Sequence, residues 1–202
     1  MDTFDFFNSF FGLVLGLSVT VMATGLAAAI QHRKTVKIGW LTPLLALFLG
    51  LDIAAFWGSA WTTFQDLPFS YGLLIGGLAI ALVYFVAASL VFPHQLSDGV
   101  SLDDHFWNNK KLVVLLSVAA NVLMQAANIG AALSRGGSFD FGISILFLLT
   151  IPAAFTRNRM VFGGLIGLYV AVYLIFGVAS ILLSEGPTAS VPSVLGVPSQ
   201  TG

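Results

Sequence analysis

Six long apolar stretches dominate the sequence and restrict what the chain can fold into. They cover residues 10–30, 39–61, 69–92, 112–133, 139–155 and 160–183. A helix needs about 20 mostly apolar residues to cross a hydrocarbon layer of ~30 Å, and the fifth stretch is the shortest. Lipid offers no water to open strand edges, so these stretches can cross only as helices. We therefore expect an all-α polytopic membrane protein, a six-transmembrane-helix bundle that forms one domain over residues 1–184.

The overall composition points to the same class and excludes several others. The chain is 57% hydrophobic and 8% charged, whereas a soluble domain is about 45–50% apolar and about 25% charged. A formal net charge of −1 provides no basic surface, so no nucleic-acid partner is expected. The sequence contains no cysteine, which excludes disulfides, thiolate nucleophiles and cysteine metal sites.

Basic residues mark one side of the expected bundle. The loops that follow the first, third and fifth stretches contain Arg33, Lys34, Lys37, Lys110, Lys111, Arg157 and Arg159, and the opposite side contains Arg135. Cytoplasmic loops carry the excess of Lys and Arg in membrane proteins. Both termini are therefore expected on the non-cytoplasmic side.

Asp52 is the most unusual residue of the second stretch. At ~1.5 Å per residue it lies about 18 Å from Trp40 and about 14 Å from Trp61, near the middle of the layer. An ionised carboxylate without a partner costs at least ~2.5 kcal/mol there. Asp52 must therefore be protonated, paired or in contact with water.

A polar stripe on the fourth stretch lies at a similar depth. Ser117, Asn121, Gln125 and Asn128 are spaced four, four and three residues apart, which places them on one helical face. Thr20, Tyr169 and Tyr173 reach similar depths in the first and sixth stretches. We expect a mid-membrane polar cluster made of Asp52, Asn121, Gln125, Asn128, Thr20, Tyr169 and Tyr173. Such a cluster can bind helices together, form a pathway for a solute, ion or proton, or hold a lipid, pigment or other ligand.

Pairs of glycines spaced four residues apart recur in three stretches. They are Gly12 with Gly16, Gly72 with Gly76, and Gly163 with Gly167. Small residues let helices approach closely in lipid. We expect these glycines to mediate helix packing, either inside the bundle or between copies of the chain.

The segment between the third and fourth stretches contains the other polar candidates. Ser101 begins a capping pattern, so residues 102–109 are expected to form a short cytoplasmic interfacial helix. His94, Asp98, Asp103, Asp104 and His105 lack the spacing of a metal motif. We expect no metal, no cofactor and no catalytic site, because no nucleophile set or phosphate-binding loop is present either.

Residues 185–202 form a tail rich in Pro, Ser and Gly, which is typical of disorder. The tail is expected on the non-cytoplasmic side, where a partner surface can hold it. The expected function is a non-catalytic membrane subunit or scaffold, embedded in the lipid bilayer with a membrane-protein partner or a second copy. The alternative is a small channel or carrier for a polar solute, ion or proton at Asp52.

Several segments resemble a family of small uncharacterised six-helix bacterial inner-membrane proteins. They are Ile38-Gly-Trp-Leu-Thr-Pro-Leu-Leu-Ala-Leu, Leu51-Asp-Ile-Ala-Ala-Phe-Trp, Tyr84-Phe-Val-Ala-Ala-Ser-Leu-Val-Phe-Pro and Asp104-His-Phe-Trp. The resemblance implies the six-helix topology and a bacterial inner (cytoplasmic) membrane location. It implies no activity or substrate.

Overall fold

The computed structural model describes residues 3–64, 70–93, 101–135 and 148–184. Within these ranges the chain forms helices α1 Thr3–Gln31, α2 Leu41–Phe64, α3 Tyr71–Val91, α4 Leu102–Arg135, α5 Thr150–Phe155 and α6 Arg159–Ser184. The one strand-like feature of the described ranges is an isolated bridge between Lys37 and Ser101. The prediction of an all-α protein is therefore confirmed. The tail, residues 185–202, lies outside the described residues.

Five of the helices are long and apolar enough to cross a membrane. The candidate spans are Ser9–Gln31, Leu41–Trp61, Tyr71–Val91, Leu102–Gly130 and Arg159–Leu182. These spans identify a multi-pass membrane protein. Of the expected fifth span, α5 covers only the last six residues, and residues 139–147 lie outside the described part of the chain.

The expected short interfacial helix is not a separate element. Its residues form the first turns of α4, which continues without a break for 34 residues. At ~1.5 Å per residue, α4 is about 50 Å long and exceeds the ~30 Å hydrocarbon layer. The expected cap is present, because Ser101 Oγ accepts a hydrogen bond from the backbone N–H of Asp104 at 3.4 Å.

Three loops meet at one end of the bundle, which we call the basic end. Its described residues are 32–40, 92–93, 101–111 and 156–159. Lys37 forms its bridge with Ser101, and Thr42 Oγ1 donates to the carbonyl of Leu102 at 3.3 Å. Arg159 forms an ion pair with Asp103 at 3.2 Å. The loops after α1, α3 and α5 are thus held together on the same side.

Helix packing places α2, α3, α4 and α6 around a common centre. α3 packs against α1 and α4, while α2 packs against α4 and α6. The largest fully buried side chains include Tyr84 of α3 and Tyr169 of α6. Asp52 and Ser117 are buried in the same core, so the centre of the bundle contains polar groups.

The expected packing glycines differ in their surroundings. An added Cβ at Gly12 would overlap the ring of Trp57, and one at Gly163 would overlap the ring of Trp40. Because these two glycines have no side chain, a tryptophan ring can pack directly against the backbone of each. The other four have no close neighbour from another helix: Gly16, Gly76 and Gly167 meet nothing within 4 Å, and Gly72 meets only Ser70 Oγ at 3.9 Å. Close packing inside the bundle thus involves two of the six.

Candidate functional site: the Asp52 cluster

Asp52 accepts hydrogen bonds from four side chains on three other helices. The hydroxyl groups of Tyr84 and Ser117 donate to Oδ2 at 3.0 and 2.7 Å. The Tyr169 hydroxyl donates to Oδ1 at 2.6 Å, and the amide nitrogen of Asn121 lies 3.0 Å from both carboxylate oxygens. We call these five residues the Asp52 cluster. Four donors around one group match a carboxylate, which only accepts hydrogen bonds.

Asp52 and Tyr169 lie at a similar depth because each follows the first residue of its helix by a similar number of positions. Asp52 follows Leu41, the first residue of α2, by 11 positions, or about 16 Å. Tyr169 follows Arg159, the first residue of α6, by ten positions, or about 15 Å. Both helices start at the basic end, so the two side chains lie at nearly equal depth.

Two phenylalanines enclose the carboxylate along α2. Phe48 and Phe56 stand four residues before and four residues after Asp52, which places all three on one helical face. Phe48 packs edge-on against Tyr169 with 4.9 Å between ring centroids, and Phe56 lies 5.2 Å from the ring of Tyr84. The Asp52 side chain is only 1% exposed. The carboxylate is therefore surrounded by aromatic rings and neutral donors.

A polar cavity of about 110 Å³ borders the cluster. It is lined by Ala55, Phe56, Ser59, Asn121, Met124, Gln125, Asn128 and Tyr173. Along α4 these polar residues lead away from the basic end, and Asn121 belongs to both the cavity and the Asp52 cluster. The space suffices for several water molecules.

The structure brings together six of the seven residues expected in the polar cluster. Asn121 and Tyr169 donate hydrogen bonds to Asp52. The ring of Tyr173 stacks on that of Tyr169, with 4.6 Å between the ring centroids. The amide nitrogen of Asn128 donates to Gln125 Oε1 at 3.0 Å beside the cavity. These contacts join residues of α2, α4 and α6.

Thr20 does not join the Asp52 cluster or its cavity. Its hydroxyl donates to the carbonyl of Gly16 in its own helix at 2.8 Å. Threonine in a helix often satisfies its hydroxyl in this way. Depth alone therefore placed Thr20 incorrectly, because its direction around α1 also matters.

The sequence interpretation missed two members of the cluster. Ser117 belonged to the polar stripe of α4 but was not expected beside Asp52. Tyr84 carries a hydroxyl in an otherwise apolar part of α3, seven residues before Val91, or about 10 Å from the basic end. A depth comparison that included α3 would have identified it as a candidate.

A second buried charge lies at the basic end. Lys110 is 4% exposed and lies over the rings of Trp107 and Phe162, at 4.9 and 5.3 Å from their centroids. Its ammonium group donates to three carbonyl oxygens at the C-terminal end of α5, those of Ala153 at 3.2 Å, Ala154 at 3.4 Å, and Thr156. We call this group the Lys110 cap. It fixes α5 to α4.

The described residues contain no group of three or more His, Cys, Asp or Glu side chains placed to hold a metal ion. No protein-family model matches the chain, and no curated protein or solved structure matches it either.

Proposed function

We propose that the protein is a non-catalytic membrane subunit or scaffold that holds a partner helix against α1 and α2. The proposal rests on one observation, which is that an open groove of about 230 Å³ lies between these two helices. The groove is lined by Gly12, Leu15, Gly16, Val19, Gly50, Ile53, Ala54 and Trp57. An added Cβ at Gly16 or Gly50 would meet nothing within 4 Å.

The physics of helix association in lipid favours this use of the groove. Lipid removes most of the hydrophobic drive between helices, so association depends on close packing at small residues. Glycine inside a helix costs about 1 kcal/mol relative to alanine. Gly16 and Gly50 offset none of that cost by packing inside the bundle. A partner helix in the groove would supply the missing contacts.

The Asp52 cluster supports a scaffold in a different way. The carboxylate directs its hydrogen bonds to α3, α4 and α6, and its side chain is almost fully buried. A carboxylate used for binding a solute would need oxygen atoms within reach of that solute. Asp52 instead uses both oxygens to hold helices together, which favours a structural role.

The proposal includes the finer topology of a six-span bundle in a bacterial inner membrane. α4 begins at the basic end, and α5 and α6 meet at that end, which favours the expected fifth span at residues 139–155. The excess of basic residues favours a cytoplasmic location for the basic end. Both termini then lie on the non-cytoplasmic side.

The test is to purify the tagged native protein gently and to identify everything that accompanies it by mass spectrometry. Gly16→Leu and Gly50→Leu should each release a stoichiometric partner, or a second copy, without lowering thermal stability. Gly76→Leu is the matched control, because Gly76 also faces open space but lies on α3. A partner that stays bound to both groove variants would contradict the proposal.

The polar cavity favours a second candidate, passage of a small polar solute, ion or proton. The cavity leaves space for water beside Asn121, and Asn121 donates a hydrogen bond to Asp52. Proteoliposomes should then show proton flux with an entrapped pH dye or swelling in glycerol. Gln125→Leu should close this route while the hydrogen bonds of Asp52 stay intact. Flux that is absent from the native protein, or unchanged in Gln125→Leu, would exclude the candidate.

A further inference from the structure

A second, larger groove of about 440 Å³ lies between α1 and α3. Its deep end is at Thr20, and its mouth is at His32, next to the basic end. His32 follows Thr20 by 12 positions, which corresponds to about 18 Å along the helix. One leaflet of a ~30 Å hydrocarbon layer is ~15 Å thick. The groove therefore has the length of one leaflet.

Small side chains make this groove deep and mostly apolar. Gly25, Ala28 and Ala88 line it, and an added Cβ at Gly25 would overlap the ring of Phe92. Phe92 and Val21 supply further apolar surface. The groove thus suits a flexible hydrocarbon chain better than a bulky polar molecule.

The hydroxyl groups in the groove are already bonded within their own helices. Thr20 donates to the carbonyl of Gly16, Thr24 to that of Thr20, and Ser89 to that of Phe85, each at 2.8 Å. No donor of these three side chains is left to bind a ligand. Their bonding allows the groove to accept a hydrocarbon chain without leaving a polar hydrogen unpaired.

Two basic residues directly follow His32, the residue at the mouth of the groove. These residues, Arg33 and Lys34, are exposed. Within the described ranges the one ion pair joins Arg159 to Asp103, so no described carboxylate neutralises Arg33 or Lys34. Clusters of basic residues at a membrane surface attract anionic lipid headgroups.

We propose that this groove binds one acyl chain of an anionic phospholipid, whose phosphate group lies against Arg33 and Lys34 at the mouth of the groove. The length of the groove accounts for the chain, and the charge at its mouth accounts for the headgroup. The lipid occupies the α1–α3 side of the bundle. This groove and the α1–α2 groove share no lining residue.

The experiment titrates the detergent-solubilised full chain with phosphatidylglycerol and, separately, with phosphatidylcholine, and counts bound lipids by native mass spectrometry. One phosphatidylglycerol should bind preferentially. The double variant Arg33→Gln/Lys34→Gln should weaken its binding by about 30-fold, since each basic residue near the surface contributes ~1 kcal/mol. The matched control is Lys111→Gln/Arg157→Gln, which removes two exposed charges from the same end and should retain the preference.

A second variant tests the hydrocarbon part of the groove. Thr24 is an exposed residue of α1, and the ring of Thr24→Phe would fill the groove. This variant should therefore abolish the preferential binding of phosphatidylglycerol. Ala27→Phe places the same ring on the same helix, outside the groove lining, and should have no effect. Equal binding of the two lipids, an equal loss in the control double variant, or full binding by Thr24→Phe would each overturn the proposal.

Discussion

The Asp52 cluster and the Lys110 cap each accommodate a buried ionisable side chain, but they do so with different hydrogen-bond partners. No oppositely charged side chain binds either one within the described residues. Asp52 is surrounded by side-chain donors from three helices. Lys110 is surrounded by backbone carbonyls of one helix end and by two aromatic rings.

Position along the helices explains this difference. In the middle of a helix every backbone N–H and carbonyl is already bonded, so only side chains can bind a charge there. The last four carbonyls of a helix have no partner in the helix, and they attract a cation. Lys110 reaches such an end at α5. Asp52 accepts hydrogen bonds, so it would need the free N–H groups at a helix N-terminus, and it lies too deep in α2 to reach them.

The comparison predicts how strongly each charge stabilises the fold. Asp52 connects four helices, so its loss leaves several donors unpaired at once. Lys110 connects α4 to one short helix, and the carbonyls it leaves lie nearer to water. Removal of Asp52 should therefore be more harmful than removal of Lys110.

The largest effect is expected for Asp52→Leu. Four donors would lose their acceptor in an apolar environment, and at ~0.6–1 kcal/mol for each bond the loss is about 3 kcal/mol. Unfolding by SDS in mixed micelles measures this free energy. Asp52→Asn keeps one acceptor oxygen and should lose about half as much.

Thr20→Val is the control for Asp52→Leu, because the Thr20 hydroxyl bonds only within its own helix. It should change the free energy of unfolding by less than ~0.5 kcal/mol. If Asp52→Leu were as stable as Thr20→Val, the cluster would not hold the helices together.

A smaller effect is expected for Lys110→Met, which retains the length of the side chain but not its charge. A buried cation at a helix C-terminus contributes up to ~2 kcal/mol. Hydrogen exchange should increase locally in α5, and SDS unfolding should show a loss of about 2 kcal/mol. Lys111→Met is the matched control, since Lys111 is exposed and lies over the ring of Phe155, 4.8 Å from its centroid. Equal losses in the two variants would contradict the comparison.

The sequence predicted the two charged sites unequally well. Apolar length predicted the long helices, and depth along the helices predicted that Asn121 and Tyr169 would lie near Asp52. The rotational direction of Thr20 could not be predicted, because it depends on which faces of α1 pack against its neighbours. The Lys110 cap could not be predicted either, since the carbonyls that bind Lys110 become available only where α5 ends.

Within the Asp52 cluster the donors should contribute unequally. The hydrogen bond from Tyr169 is 2.6 Å long, and that from Tyr84 is 3.0 Å. Tyr169→Phe should therefore cost about 1.5 kcal/mol, near the upper end for such bonds, and Tyr84→Phe about 0.6 kcal/mol, near the average. A double-mutant cycle with Asp52→Asn should reduce both losses. Independent effects of the tyrosine and aspartate variants would show that the phenol rings act only through packing.

The smallest effect is expected for Arg159→Gln, which extends the comparison to an exposed charge. The ion pair of Arg159 with Asp103 is 3.2 Å long, but the Arg159 side chain is 55% exposed. Water and salt screen such a pair, so its loss should cost about 0.5 kcal/mol, and less in 1 M salt. The losses for Lys110→Met and Asp52→Leu should hardly depend on salt, because both side chains are buried. SDS unfolding of the three variants should therefore be compared at low and high salt. A salt-dependent loss indicates an exposed ion pair, and a salt-independent loss indicates hydrogen bonds inside the bundle.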